Sequence, residues 1–347
     1  MKLLNYLEKN KTYIIAEMSG NHGGSLEHAL EIVRAAAEAG ADCLKIQTYT
    51  ADTITIDSKT DPFLVHSGLW ENEYLYDLYK KAFTPWEWTA AIKEETERLG
   101  MDFLSTPFDL TAVDFLEEHK IEFYKIASFE VVDIPLIRKV AKTGKPVVMS
   151  CGMASEEEIK EAVDAIKAEG NENIFLLKCC SAYPADYSNM NLCMIPNMKE
   201  KFQVHVGLSD HSAGSLACVM AVAMGACVIE KHICISREDK TVDSDFSMDK
   251  DEFAQMVKDV RNAERSRGKI SYGPSEDEMQ SYAHRRSLFV TKDISKGERF
   301  TKENIKSIRP ACGLHTRYYD TLLENKCASR DLAFGTPLSL EDVEGGI

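Results

Sequence analysis

The chain has 347 residues, 44% of them hydrophobic, and 41 Lys+Arg against 56 Asp+Glu leave a formal net charge of −15. These figures exclude a disordered tail, a collagen-like repeat and a small disulfide scaffold. The length suits two domains, or one large α/β barrel with an appendage, and the acidic balance disfavours nucleic acid and anionic membranes, which bind through clustered Lys/Arg.

The first residues, Met1–Lys11, carry Glu8 and three lysines and lack the apolar run of a signal peptide. No later segment approaches a membrane-spanning length, so a cytoplasmic location is expected. From there, short β-branched runs alternate with longer amphipathic ones. The strand-like runs are Tyr13–Glu17, Cys43–Thr48, Asp102–Thr106, Phe123–Ala127, Val147–Ser150, Ile174–Cys179, Val204–Leu208 and Val228–His232. Helical stretches between them include Ser25–Ala39, with Ser25 as N-cap and Gly40 as C-cap, Pro85–Leu99, Ser155–Ala168 and Gly214–Met224. Eight such units predict a closed (β/α)8 TIM barrel over residues 1–268 rather than an open sheet.

A long insertion, Ala51–Phe83, interrupts the barrel; its Phe63, Trp70, Tyr74, Tyr76 and Tyr79 could line a substrate mouth or simply pack a lid. A charged helix, Asp249–Arg267, follows the eighth strand, and the polar stretch 269–284 reads as a linker. Residues 285–347 form a small second domain with strand-like pieces at Ser287–Thr291 and Ile305–Ile308 and no long helix. That domain carries 11 Lys+Arg and 9 Asp+Glu, a balance of +2, which leaves −17 on the rest. The ten cysteines are scattered without a CxxC spacing, and several, such as Cys43, Cys218 and Cys227, sit in apolar runs, as buried reduced thiols do.

In a barrel of this kind, loops at the C-terminal ends of the strands converge on one face. Those ends are polar here: Glu17; Lys45 and Gln47; Thr106; Lys125 and Ser128; Ser150; Lys178, Ser181 and Tyr183; Ser209, Asp210 and His211; Glu230 and His232. Side chains alternate along a strand, so Lys45 shares a face with Gln47, and Glu230 with His232. Any single Ser or Thr could be a satisfied structural group, but buried Lys and Glu are rare unless paired or functional. His211 and His232 end neighbouring strands and could hold one divalent cation, or could be hydrogen-bonded core histidines. Lys45, Lys125 and the hydroxyls around them would suit a phosphate together with a carboxylate. There is no Walker-type loop, and Ser19-Gly20-Asn21-His22-Gly23-Gly24 is too loose for a dinucleotide fingerprint.

Six motifs, in order, resemble the sialic acid synthase family: Ala16-Glu17-Met18-Ser19-Gly20-Asn21-His22, Lys45-Ile46-Gln47-Thr48, Ser105-Thr106-Pro107-Phe108, Tyr124-Lys125-Ile126-Ala127-Ser128, Gly207-Leu208-Ser209-Asp210-His211 and Glu230-Lys231-His232. The segment Ser287–Glu344 resembles that family's antifreeze-like (SAF, β-clip) domain, so the likeness runs along the chain. Gln47-Thr48-Tyr49-Thr50, Gly68-Leu69-Trp70, Lys125–Glu130 and Arg309–His315 most resemble its pseudaminic acid branch.

The resemblance implies condensation of phosphoenolpyruvate with an open-chain amino sugar and release of phosphate. It implies a divalent metal (Mn²⁺, Co²⁺ or Mg²⁺) on His211 and His232, and Glu17 as general acid/base or as the group orienting water. It places phosphoenolpyruvate among Lys45, Gln47, Thr106, Lys125, Ser128, Ser150, Ser181 and Tyr183. The sugar would meet Asp243 and Arg309, the latter supplied by the partner of a domain-swapped homodimer. Cys151 and Ser181 stand where the N-acetylmannosamine-using branch usually has Thr and Asn, which weighs against that sugar. Two other classes remain open on the residues alone: a Schiff-base aldolase using Lys178, and an amino-sugar sensor without catalysis.

Overall fold

Eight aliphatic and β-branched segments form parallel strands β1 (Tyr13–Glu17), β2 (Cys43–Thr48), β3 (Asp102–Pro107), β4 (Tyr124–Ile126), β5 (Val147–Ser150), β6 (Ile174–Cys179), β7 (His205–Asp210) and β8 (Val228–His232). Each pairs with the next, and β8 closes on β1 with Glu17 opposite His232, so the sheet is a barrel without an edge. The computed structural model describes residues 2–347, in two compact units, one ending at Gly268 and one spanning Lys269–Ile347.

Parallel strands in a barrel are buried on both faces, and the period of two sorts their side chains into two cores. Ile14, Ala16, Leu44, Ile46, Ile126, Met149, Ile174, Leu176, Leu208 and Ile229 pack outward against helix residues such as Ile32, Ile137, Ile166 and Met256. Tyr13, Ile15, Cys43, Leu104, Phe123, Val148, Phe175, Leu177 and Val228 fill the interior. Leu3, from helix Lys2–Glu8, joins that interior cluster fully buried. The helix is pinned by the Lys2 backbone N–H donating to Asp102 at 2.7 Å. Sequence reasoning found no element here, because seven residues are too few for periodicity to register.

Helices Leu26–Ala39 and Glu156–Ala168 start where their caps predict: the hydroxyls of Ser25 and Ser155 accept from the N–H groups of His28 and Glu158. Gly40, at φ 89°, ends the first. Other bounds differ from expectation. β4 is three residues long, and β7 begins at His205 and runs on to Asp210 because Ser209 and Asp210 keep pairing, with Glu230 and Lys231. The helix expected from Gly214 begins at Leu216, since Gly214 has φ 63°. Pro85 precedes a 3-10 turn, and the helix proper is Thr89–Arg98.

The insertion folds into helices Ala51–Ile54 and Leu75–Ala82. Its aromatics divide between the two expectations. Trp70 donates to the Val242 carbonyl at 3.1 Å and packs on Tyr183 and Phe246 at the mouth, whereas Tyr79 packs on Tyr49 and Tyr76 bonds to Asp52 within the insertion.

In the second unit, β9 (Ser287–Val290) and β10 (Ile305–Ile308) pair antiparallel over a core of Leu288, Val290, Phe300, Ile305, Leu322 and Leu338. Segment 269–284, expected as a linker, groups with this unit and holds a short helix, Met279–Tyr282. Among the described residues, no helix is long and apolar enough to cross a membrane, and the cysteines are all free thiols.

One interior position leaves no room for a side chain. A Cβ on Gly207 would lie 2.4 Å from the Val228 carbonyl oxygen and 2.6 Å from Leu177 Cδ2. Gly207→Ala should therefore cost about 1–3 kcal/mol by overpacking, read as a lower midpoint in chemical denaturation; an unchanged midpoint would mean that β7 and β8 can separate freely.

Candidate active site

The same alternation that builds the interior decides which polar groups meet at its C-terminal end. Going up each strand inside the barrel, apolar residues give way to Glu17 on β1, Lys45 and Gln47 on β2, Thr106 on β3, Lys125 on β4, Ser150 on β5, Ser209 on β7 and Glu230 and His232 on β8. All but Gln47, which is half-buried, are buried.

Four of them form a charged cluster. Lys45 Nζ lies 2.7 Å from Glu17 Oε2 and 3.7 Å from Glu230 Oε1, and Lys125 Nζ lies 3.6 Å from that same Glu230 oxygen. Lys45 also donates to Thr106 at 3.2 Å, and Ser209 donates to Glu230 at 3.2 Å. Gln47 donates to Glu17 Oε1 at 2.8 Å.

Burial pushes the Glu17 carboxyl up, Lys45 pulls it back and Glu230 adds to the rise, so the net shift is upward. Burial would raise Glu230 as well, but Lys125 and Lys45 outweigh it and hold Glu230 down. Lys45 is the reverse case: burial lowers it, and Glu17 and Glu230 more than restore it. Lys125 stays lowered by burial, with Glu230 compensating only in part.

Beside the cluster stand the histidines. The rings of His211 and His232 are 5.3 Å apart, and Phe246 packs on both while Tyr183 stacks on His211 at 4.5 Å. His211 Nδ1 is 3.0 Å from the Cys180 carbonyl oxygen, and His232 Nδ1 is buried without a hydrogen-bond partner. Burial, reinforced by His211, keeps His232 far below its ordinary range and so neutral. Among the described residues, no group of three or more His, Cys, Asp or Glu side chains is placed to hold a metal by itself.

The remaining expected residues fall around this centre. Ser128 accepts from the Gly152 N–H at 3.0 Å, and a Cβ on Gly152 would strike the hydroxyls of both Ser181 and Ser128, so the three crowd together. Ser150 Oγ is buried without a hydrogen-bond partner, as is Glu230 Oε2. Asp243, buried in the segment after β8, accepts from Ser19 and from the Gly20 N–H. Arg309 is not among the barrel residues. It lies in the second unit, where with His284, Arg285, Arg286 and His315 it lines a cavity of about 730 Å³ that has no acidic side chain in its wall.

Lys178 is excluded from the set. It shares its face of β6 with Ile174 and Leu176, which pack outward, and its Nζ donates to the Cys179 carbonyl at 2.8 Å. Sequence reasoning gave no role to Glu230, although it shares a face with His232, nor to Phe246 and Ser19. Glu130 was also passed over. Burial pushes its carboxyl up to about 7, and its Oε2 has no hydrogen-bond partner. Cys179, an interior thiol 3.8 Å from His211 Nδ1, had no signal beyond its parity.

A closed parallel barrel that buries this many ionisable groups at the C-terminal ends of its strands has the architecture of an enzyme. The NeuB family model matches residues 32–272, and the SAF domain model matches residues 285–344. The chain is 46% identical to a pseudaminic acid synthase of Campylobacter jejuni over 99% of both chains, and 43% identical to one of Helicobacter pylori over 95% of this chain and 97% of the other. Among solved structures, the N-acetylneuraminic acid synthetase of Leptospira borgpetersenii is 32% identical, with a TM-score of 0.69 over 78% of this chain and 90% of that one. The chain belongs to the NeuB family.

A second buried ion pair sits just behind the histidines, on the outward face. Lys231 Nζ lies 2.6 Å from Asp210 Oδ2 and also donates to the carbonyls of Ser212 and Gly214, while Asp210 Oδ1 accepts from Ser212 N–H and hydroxyl. This pair ties the strand ends carrying His211 and His232 to one another. Lys231→Met leaves Asp210 buried without its cation and should cost about 3–5 kcal/mol. Adding Asp210→Asn should recover part of that loss in thermal unfolding, and a double variant less stable than the single one would count against the pairing.

Proposed function

We propose that the chain condenses phosphoenolpyruvate with 2,4-diacetamido-2,4,6-trideoxy-L-altrose, giving pseudaminic acid and phosphate. The observation that carries this reading is the convergence of Glu17, Lys45, Lys125 and Glu230 beside His211 and His232 in one buried barrel mouth. The higher identity to pseudaminic acid synthases than to the N-acetylneuraminic acid synthetase supports the choice of sugar.

Lys45, Gln47, Thr106, Lys125, Ser128, Ser150, Ser181 and Tyr183 hold the phosphate and carboxylate of phosphoenolpyruvate. The partnerless Ser150 hydroxyl supports this, since an unpaired buried polar atom is costly until something pairs with it. Asp243 binds sugar hydroxyls. The methylene carbon of phosphoenolpyruvate attacks the aldehyde carbon, and the developing cation at the phosphate-bearing carbon is captured by water.

Glu17, whose burial favours its protonated form, gives a proton to the aldehyde oxygen and takes back the one the attacking water sheds. The proton on the new hydroxyl then leaves with phosphate as the ketone forms. A single carboxyl thus balances both transfers. His211 and the neutral, partnerless His232 fit a divalent cation (Mn²⁺, Co²⁺ or Mg²⁺) that draws its other ligands from water and substrate. When bound, such a cation supplies Lewis-acid polarisation of the aldehyde. The reaction is cytoplasmic in this reading, and Arg309 reaches the sugar from the second copy of a domain-swapped homodimer.

Phosphate release should require both phosphoenolpyruvate and sugar, with the altrose derivative preferred over the legionaminic precursor and N-acetylmannosamine. No phosphate release with any of the three sugars would leave a sensor. Glu17→Gln should reduce the rate by about 10²–10⁴-fold. His211→Ala and His232→Ala should each weaken metal binding, measured calorimetrically, without unfolding the chain.

The dimer has its own test. Neither Glu17→Gln nor Arg309→Ala alone should be active, but subunits exchanged between them should regain about a quarter of wild-type activity, since half of the dimers then hold one intact composite site. No recovery on proven exchange would mean that Arg309 serves its own barrel, and an active Arg309→Ala variant would mean that it serves neither.

A further inference from the structure

Ser19 occupies a backbone conformation that its side chain makes unfavourable. Its φ is 48°, in the left-handed region where residues other than Gly, Asn and Asp are uncommon, and the residue is 6% exposed. Nothing in the turn Ser19–His22 demands a side chain there, and glycines stand at positions 20, 23 and 24 of the same loop. The hydroxyl, however, both donates and accepts. It donates to Asp243 Oδ2 at 2.5 Å and accepts from Gln47 Nε2 at 3.0 Å, and that same Gln47 nitrogen donates to Glu17 Oε1 at 2.8 Å.

The bonds from Ser19 and from the Gly20 N–H, at 3.1 Å, both fall on Asp243 Oδ2, which leaves Oδ1 for a ligand hydroxyl. Asp243 itself lies outside any strand, in an irregular segment that does not fix its side chain through a ladder. Strain held in place by a hydrogen-bonded side chain at such a site is a sign of function.

We propose that Ser19 is a positioning residue: its hydroxyl clamps the Asp243 carboxylate to Gln47 and thereby sets the sugar-binding carboxylate in register with Glu17. This rests on the reaction proposed above. The chain Asp243–Ser19–Gln47–Glu17 spans β8's loop, β1's loop, β2 and β1, so a sugar hydroxyl seated on Asp243 is placed with respect to the group that moves protons at its aldehyde.

Two substitutions separate positioning from plain structural support. Ser19→Ala removes the hydroxyl and keeps the strained Cβ, whereas Ser19→Gly removes both. Relative to Ser19→Ala, Ser19→Gly should raise the melting temperature by about 2 °C, because only the backbone cost differs. Both should raise KM for the amino sugar about tenfold, the worth of one hydrogen bond, and raise KM for phosphoenolpyruvate, which Gln47 also holds, by a smaller factor of about threefold or less.

In an Asp243→Asn background, the same Ser19→Gly change should add less than about twofold, since the two act through one contact. Sugar KM values near wild type in both variants would overturn the proposal. So would activity that returns along with the melting temperature in Ser19→Gly, or an effect that persists undiminished without the Asp243 carboxylate. If the wild-type chain itself releases no phosphate from phosphoenolpyruvate and sugar, the reaction fails first, and this role for Ser19 fails with it.

Discussion

Glu17, Lys45, Lys125 and Glu230 share one buried barrel mouth, and none of them can take its ordinary charge independently of the others. Four full charges at such depth would be costly to desolvate, and the directions of the shifts show how the cost is reduced. Lys45 and Glu230 are held in their charged forms, while Glu17 and Lys125 are both moved toward neutrality. A phosphate and carboxylate arriving here would alter that balance in a definite way. Negative charge beside Lys125 would offset the lowering by burial, and the same charge beside Glu17 would make its carboxyl harder to ionise. A bound anion would thus favour the charged form of Lys125 and the protonated form of Glu17 together.

The geometry that allows this is the two-residue period of a closed parallel sheet. Inside the barrel the deeper positions are filled by Tyr13, Phe123, Phe175 and Leu177, sealed below by Leu3, and polar groups begin only above that floor. Stability and chemistry therefore occupy different layers of the same strands. Three of the buried atoms left without hydrogen-bond partners, Ser150 Oγ, Glu230 Oε2 and His232 Nδ1, lie above the floor, where a ligand can satisfy them. Gly207 belongs to the floor, its missing side chain filled by Leu177 and the β8 backbone. The Asp210–Lys231 pair uses the opposite face of β7 and β8, so the histidine-bearing ends are fixed without spending interior space.

How much of this the sequence disclosed follows from what each feature requires. Strand positions and parity are written locally, so the residues alone put Lys45 on one face with Gln47 and Glu230 on one face with His232, at the polar ends of their strands. Parity also argues against Lys178, once its outward partners Ile174 and Leu176 are known, but the sequence alone did not say which parity faced in. The N-terminal helix was invisible because the contacts that hold it, Leu3 with the barrel floor and the Lys2 N–H with Asp102, join residues far apart in the chain. Ser19 was passed over for a related reason. A left-handed serine has no local signature, and its worth lies in a hydrogen bond to Asp243, 224 positions away. Glu230 was seen but given no work, because its partners are two lysines that come from two other strands.

The net charge of −15 has a narrower meaning than it first suggests. At physiological ionic strength, exposed charges farther than about 8 Å away are largely screened, so a small anion near the mouth responds to the groups it touches rather than to the sum over the surface. A long polyanion or a membrane samples many patches at once and does feel that sum. The second unit sharpens the distinction, because Lys269–Ile347 is neutral overall, with 12 Lys+Arg against 12 Asp+Glu, yet gathers Arg285, Arg286, Arg309, His284 and His315 around one cavity without an acid in its wall. Positive charge in this chain is therefore concentrated rather than scarce, and concentration is what selects a compact, multiply charged ligand over an extended one.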